Sequence, residues 1–205
     1  MIKLFHAPGS RSVRIIWLLE ELGLNYELEV LKRGEINQAF VEANPFSKLP
    51  TITDGEVVMS ESVAIIQYTL QKYGEGRLEP DHDSHEYAEY LQWLNFGESV
   101  LIDPIVSILI NKVFRPEEHR HEYSIQSAEQ SFAKTVKTLN SIMEGRTYIM
   151  GDDFTAADII NGYTLRLADN LKLLSSSPET ENVVDYFKSL QGRAAYQKAV
   201  ADTKS

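Results

Sequence analysis

Residues 44–62 read Asn44-Pro45-Phe46-Ser47-Lys48-Leu49-Pro50-Thr51-Ile52-Thr53-Asp54-Gly55-Glu56-Val57-Val58-Met59-Ser60-Glu61-Ser62. The first seven are irregular, and Pro50 stands directly before the β-prone run Thr51-Ile52-Thr53. Asp54-Gly55 separates that run from Val57-Val58-Met59, the signal of a tight hairpin, so two antiparallel strands are predicted. Ser60 to Ser62 open an apolar helix carrying Ala64, Ile65, Ile66 and Tyr68, which frays into Tyr73-Gly74-Glu75-Gly76. A proline at a strand start is either trans or holds a cis peptide bond, which for X-Pro costs only about 0.5–1 kcal/mol. The cis form turns the Leu49 N–H and C=O outward, where they can pair with a peptide-like ligand.

Upstream of this stretch, residues 1 to 5 are apolar enough for a buried strand. Pro8-Gly9 breaks the chain, and Ser10 or Ser12 caps a helix carrying Val13, Ile16, Trp17, Glu20 and Glu21 that Gly23 ends. Tyr26, Leu28 and Val30 alternate with Glu27 and Glu29 as a second strand, and a short helix ends near Ala43. Downstream, residues 74 to 84 hold glycines, Pro80, two aspartates and His82, the composition of a linker. From His85 the period is helical throughout. Tyr87, Leu91, Leu94, Phe96, Leu101, Ile105, Ile108 and Leu109 form a stretch that Pro104 must bend. Ile125, Phe132, Val136, Leu139 and Met143 line a second helix over 117–143, and three shorter ones are predicted near 156–169, 179–190 and 193–201.

The bulk composition narrows the function. Thirty acidic against twenty basic residues give a net charge of -10, which repels polyanions, so nucleic acid is not expected as a partner. Residues 1–78 carry eight basic and ten acidic side chains, and residues 79–205 twelve and twenty; an anionic small molecule is better received by the first segment. No stretch reaches the roughly 18–20 uninterrupted apolar residues of a membrane span, and the N-terminus lacks the apolar run of a secretory signal, so a cytoplasmic protein is expected. With no cysteine, disulfides, thiolate metal ligands and protein thiol nucleophiles are excluded. His82, His85, His119 and His121 show no metal-site spacing and are expected at the surface.

The order strand-helix-strand-helix-strand-strand-helix, with a proline opening the third strand, resembles thioredoxin-like domains. Pro8-Gly9-Ser10-Arg11-Ser12 with Arg14, Asn44-Pro45, Lys48-Leu49-Pro50, Glu61-Ser62 with Ala64-Ile65, and Gly151 with Phe154-Thr155-Ala156-Ala157-Asp158 stand in the order found in cytosolic glutathione S-transferases, bacterial-like members of the serine type. The resemblance spans nearly the whole chain. It implies a thioredoxin-like α/β glutathione-binding domain over 1–78, a linker at 79–84, and an all-α domain over 85–205 for the second substrate. It also implies a homodimer, for which Phe46, Met59, Tyr87 and Trp93 offer apolar surface, and a detoxifying reaction joining the glutathione thiolate to small, mostly hydrophobic electrophiles. Glutathione is the cosubstrate and no metal is implied.

Residue by residue, the resemblance places the Leu49 main chain against the cysteinyl part of glutathione, with Pro50 as the cis residue. Ser62 takes the γ-glutamyl carboxylate, Glu61 its ammonium, and Lys48 the glycyl carboxylate. The start of a helix suits a carboxylate on physical grounds too, and a plain cap is the other role open to Ser62. Ser10 is the thiol activator, with Ser12 as its rival. A thiol of pKa about 8.5 is about 3% ionised at pH 7, and one near 6.5 is roughly three-quarters ionised. That difference is about 2.7 kcal/mol, within reach of a hydroxyl hydrogen bond aided by a helix N-terminus. His6, near a strand end, is read as packed or ligand-adjacent. Arg14 is read as pairing the two domains, and Thr155 with Asp158 as a capping box. The second-substrate pocket is expected from Phe96, Ile102, Asp103, Asn111, Tyr163 and Arg166. Peroxide reduction, dehalogenation and a non-enzymatic binding module are the alternatives to conjugation.

Overall fold

A computed structural model describes residues 1–32 and 37–201. The last four residues of the segment expected over 85–205 therefore lie outside it. The chain divides into two compact units, Met1–Glu79 together with the segment from Gln191, and Pro80–Leu190.

The first unit contains a four-stranded sheet in the order β2-β1-β3-β4. Strands β1 (Ile2–His6) and β2 (Tyr26–Val30) are parallel, joined through α1 (Val13–Leu22), as a strand-helix-strand crossover requires. Strand β3 (Thr51–Asp54) runs antiparallel to β1 and pairs with β4 (Val57–Ser60) as a hairpin. Asp54 pairs with Val57, so the turn is Gly55-Glu56, one residue later than the sequence suggests; Gly55 has φ 64, which a first turn position of this kind demands of glycine. The short helix α2 (Gln38–Ala43) is capped by Asn37, whose side chain accepts from the Phe40 amide at 2.9 Å. Helix α3 (Ser62–Thr69) follows β4 and continues as a π turn over Leu70–Gly74.

Helix α1 ends at Gly23 in the left-handed conformation and is buried from Val13 to Leu19. Helices α3 and α9 (Ala194–Ala201) both pack on it. Arg193 grips Glu21 with two bonds of 2.6 and 2.8 Å, Trp17 Nε1 donates to the same carboxylate at 2.9 Å, and the Trp17 and Tyr196 rings meet edge to face at 4.9 Å. The helical segment expected over 85–205 is thus not a single packing unit: its last helix belongs with α1.

The second unit is helical; among the described residues no strand follows β4, and only an isolated bridge joins Tyr148 and Gly151. Helix α4 (Glu86–Ser99) breaks at Val100-Leu101 before α5 (Ile102–Leu109), and a π turn covers Ile110–Phe114. Pro104 has no N–H for the carbonyl four residues back, that of Val100, so the break falls upstream of the proline itself. An 18-residue window within the run Glu86–Phe114 is apolar enough to cross a bilayer by length and composition alone, but 44% of that window is buried inside the fold, as in a core helix. Helix α6 (Glu122–Ile142) buries Ile125, Phe132, Val136 and Leu139, the stripe its sequence predicts. Helix α7 (Ala156–Asn170) crosses α4 closely at Gly97, where an added Cβ would lie 2.7 Å from Ile160 Cγ2. The fully buried Asp158 closes the capping box of α7, accepting from the Thr155 amide and hydroxyl, and also takes the Ile149 amide and the hydroxyl of Tyr186 on α8 (Glu181–Gln191). Burial pushes its pKa up, against these four donors, which pull it down.

Candidate active site

Strand directions assemble the site. The register pairs Phe5 with Thr51 and Thr51 with Ser60, so the end of β1, the start of β3 and the end of β4 lie at one edge of the sheet. The loops that leave or enter there carry Ser10 and Ser12, Lys48 to Pro50, and Glu61 with Ser62.

After β1, Ala7-Pro8-Gly9-Ser10 forms a turn closed by the Ser10 amide on the Ala7 carbonyl at 3.0 Å, with proline second and Gly9 at φ 76 third. That placement is the type II arrangement, and it delivers Ser10 to the mouth of α1. Ser10 is half-buried, whereas Ser12 and His6 are fully buried. The three side chains form a chain: His6 Nδ1 to Ser12 Oγ at 2.7 Å, and Ser12 Oγ to Ser10 Oγ at 2.6 Å. Ser12 occupies the N-cap position, yet its hydroxyl makes no capping bond to the helix. Burial therefore separates the two serines that the sequence leaves as rivals.

Ahead of β3, the Leu49–Pro50 peptide bond is cis. The Leu49 amide and carbonyl have no hydrogen-bond partner among the described residues. Buried Asn44 braces this loop: its Nδ2 donates to the Lys48 carbonyl and to Thr51 Oγ1, both at 2.9 Å, and its Oδ1 accepts from the Phe46 amide at 3.0 Å. Lys48 is exposed and Pro50 buried.

After β4, Glu61 holds φ 74, a conformation that costs a non-glycine residue on the order of 1–3 kcal/mol and is concentrated at ligand sites. It is exposed, and Ser62 behind it is 3% exposed at the first position of α3. Buried Arg14 donates from Nη1 to Ser62 Oγ at 3.3 Å. This contact lies within the first unit and braces α1 against the start of α3.

The residues expected at the second-substrate pocket are dispersed in exposure. Asp103 is exposed, Phe96 and Arg166 are half-buried, and Ile102, Asn111 and Tyr163 are buried. The Asn111 amide is engaged within its own helical segment: Nδ2 donates to the Ser107 carbonyl at 2.9 Å and Oδ1 accepts from Arg115 at 2.8 Å. Phe96 lines a cavity of about 370 Å³ in the second unit with Trp93, Val100, Lys134, Thr135 and Leu139, from α4, the break after it, and α6. In the chain as a whole Trp93 is 5% exposed and Phe46 81%, so of these two only Phe46 presents apolar surface. The four histidines beyond His6 are exposed, and no group of metal-ligating side chains is assembled among the described residues. His121 serves instead as the N-cap of α6, accepting from the Ser124 amide.

A sheet edge that gathers a turn-borne serine, a cis-proline loop and a serine-started helix, followed by a helical unit, defines the glutathione S-transferase class. Family models agree: residues 4–77 match the glutathione S-transferase N-terminal domain and residues 101–194 the C-terminal domain. Over 171 residues the chain is 30% identical to glutathione S-transferase 3 of Schizosaccharomyces pombe, covering 77% of this chain and 70% of that one. It is 27% identical over 223 residues to the disulfide-bond oxidoreductase YfcG of Escherichia coli, covering 100% and 99%. A crystal structure of a glutathione S-transferase from Actinobacillus pleuropneumoniae superposes with a TM-score of 0.81 at 29% identity, over 100% of this chain and 94% of that one. The chain belongs to the glutathione S-transferase family.

Proposed function

We propose that the protein conjugates the thiolate of glutathione to small, mostly hydrophobic electrophiles, with Ser10 donating its hydroxyl hydrogen to the sulfur. The observation that carries this reading is the half-exposed Ser10 at the outer end of a buried hydroxyl chain, on the same sheet edge as the unpartnered Leu49 main chain and Ser62. Ser12, fully buried, supports Ser10 from behind and does not itself meet the sulfur. Leu49 pairs with the cysteinyl main chain beside Pro50, Ser62 holds the γ-glutamyl carboxylate, Glu61 its ammonium, and exposed Lys48 the glycyl carboxylate. The separation of anchoring from activation follows, because the carboxylates are held away from the reacting sulfur. The electrophile is received by the half-exposed Phe96 and Arg166 and by Asp103, in preference to the buried Ile102, Asn111 and Tyr163. The active form is a cytoplasmic homodimer, for which Phe46 is an exposed apolar anchor in the first unit.

A second reading, a glutathione-dependent oxidoreductase or peroxidase, is favoured by the likeness to a protein named as a disulfide-bond oxidoreductase. With no cysteine in the chain, any such chemistry must run on the thiols of glutathione itself. Turnover of an electrophilic aryl halide and of an organic hydroperoxide, measured side by side, separates the two. Conjugation predicts the first to dominate; hydroperoxide turnover alone overturns it. Absence of both, with glutathione still bound, leaves dehalogenation or a binding module.

A further inference from the structure

We propose that His6 is a positioning residue for the thiol-activating hydroxyl: it donates from Nδ1 to Ser12, Ser12 donates to Ser10, and the single hydroxyl hydrogen of Ser10 is thereby left for the sulfur. This rests on the assignment of Ser10 as thiol activator and deepens it.

Counting hydrogens fixes the direction of the chain. Each serine hydroxyl has one hydrogen to donate. If Ser10 gives its hydrogen to a thiolate, the 2.6 Å contact with Ser12 requires Ser12 to be the donor. Ser12 has then spent its only hydrogen, so the 2.7 Å contact with His6 requires Nδ1 to carry one. The opposite polarity, with hydrogen on Nε2 and Nδ1 as acceptor, turns Ser12 toward His6 and Ser10 toward Ser12. It then presents the sulfur with a lone pair, which suits a neutral thiol and repels a thiolate. The His6 tautomer thus selects which form of the thiol the site prefers.

Three further features fit a chain set in this direction. The Ser12 main-chain amide also points at Ser10 Oγ, at 3.4 Å, adding a second donor to that oxygen and leaving its hydrogen to face outward. Ser12 stands at the helix N-cap without making the usual capping bond, so its hydroxyl is committed to the chain. His6 is fixed at the end of β1, its carbonyl accepting from the Leu31 amide at 2.7 Å and its ring fully buried, so neither end of the chain is free to wander.

The test uses the full-length protein, labelled with ¹⁵N and saturated with glutathione at a pH where the bound thiol is ionised. Long-range ¹H–¹⁵N spectra give the ring tautomer, with the His6 signals assigned by their loss in His6→Asn. Hydrogen on Nδ1 is expected; an Nε2–H ring with bare Nδ1 overturns the proposal. Ultraviolet titration of the bound thiolate supplies a second reading. His6→Leu should raise its apparent pKa by about 0.3 to 0.7, the effect of losing one cooperative link. Ser12→Ala should do the same without adding to it, and His6→Asn, whose amide can donate from a similar place, should restore most of the loss. If His6→Leu does not fold, the tautomer and the Ser12→Ala titration still decide. Should Ser10→Ala shift the titration while Ser12→Ala and His6→Leu do not, the role of His6 fails and that of Ser10 stands. Should Ser10→Ala leave it in place, both fail.

Discussion

Replacing Asp158 tests whether the second unit is organised around one buried carboxylate. Its two oxygens receive four donors: Oδ1 takes the Ile149 amide at 2.9 Å and Tyr186 at 2.8 Å, and Oδ2 takes the Thr155 amide at 2.8 Å and its hydroxyl at 3.2 Å. Asp158→Asn keeps the volume but replaces one acceptor oxygen with a donor nitrogen, so two of the four donors lose their partner. At about 1–3 kcal/mol per unsatisfied buried group, partly relieved by rotation of the two hydroxyls, the cost is about 2–4 kcal/mol. Asp158→Ala strips all four and leaves a cavity, and should cost about 3–5 kcal/mol. Against a typical total of about 5–15 kcal/mol, either loss is large. Urea unfolding followed by circular dichroism at neutral pH reads it directly, as a lowered midpoint at unchanged slope. A loss below about 0.5 kcal/mol in Asp158→Asn would show that the four bonds carry no appreciable net stability. The two variants should also rank in the stated order.

Ser62→Ala removes a contact made equally before and during reaction, so the KM for glutathione should rise about 10- to 100-fold while the pH profile of kcat stays in place; a shifted profile would place Ser62 in activation. Arg193→Ala frees the half-buried Glu21 and should cost about 1–3 kcal/mol in urea unfolding monitored by tryptophan fluorescence, whereas an unchanged midpoint would mean the ion pair does not hold α9. Asp54, buried at the far end of the sheet, is held well below the usual carboxylate range by Lys72 first, then by Tyr73 and Tyr68. Its folded pKa is lowered, so its contribution is complete above the unfolded value of 3.8 and is lost as pH falls through that value toward the folded one. Acid unfolding of Asp54→Asn should accordingly show a flatter stability-pH curve below about pH 4 than the parent.

The elements legible in the sequence are those fixed by local chemistry. Gly23 stops α1 because a left-handed residue is needed there, and the apolar stripe of α6 is visible because one helical face meets one core. What periodicity does not carry is the identity of a partner. The amphipathic helix at 194–201 reads as one more member of the helical segment, and only packing shows that α1 receives it. Asn111 reads as a polar break in an apolar helix, but its amide donates to the Ser107 carbonyl and accepts from Arg115, each four residues away.

The candidate site is legible in its residue types and not in its wiring. Ser10, Leu49-Pro50 and Glu61-Ser62 are conspicuous because each adjoins a break between elements. His6 and Ser12 are six residues apart, a spacing that no helix or strand brings together; the Pro8-Gly9 turn does so. Asn44 is hard to read as a brace because its three bonds reach forward, two into an irregular loop and one to Thr51 at the start of β3. A polar residue in the last turn before such a loop, followed by proline, is the signal that marks it.

Everything proposed for the chemistry depends on Ser10 stabilising the thiolate of bound glutathione, and ultraviolet titration of that thiolate in Ser10→Ala beside the parent measures this without intermediate steps. A rise of one to two units in the apparent pKa, roughly 1.4 to 2.7 kcal/mol, with glutathione affinity kept within a few fold, is expected. An unmoved titration would deny Ser10 that role and assign the activation to the helix N-terminus, main-chain amides or another side chain.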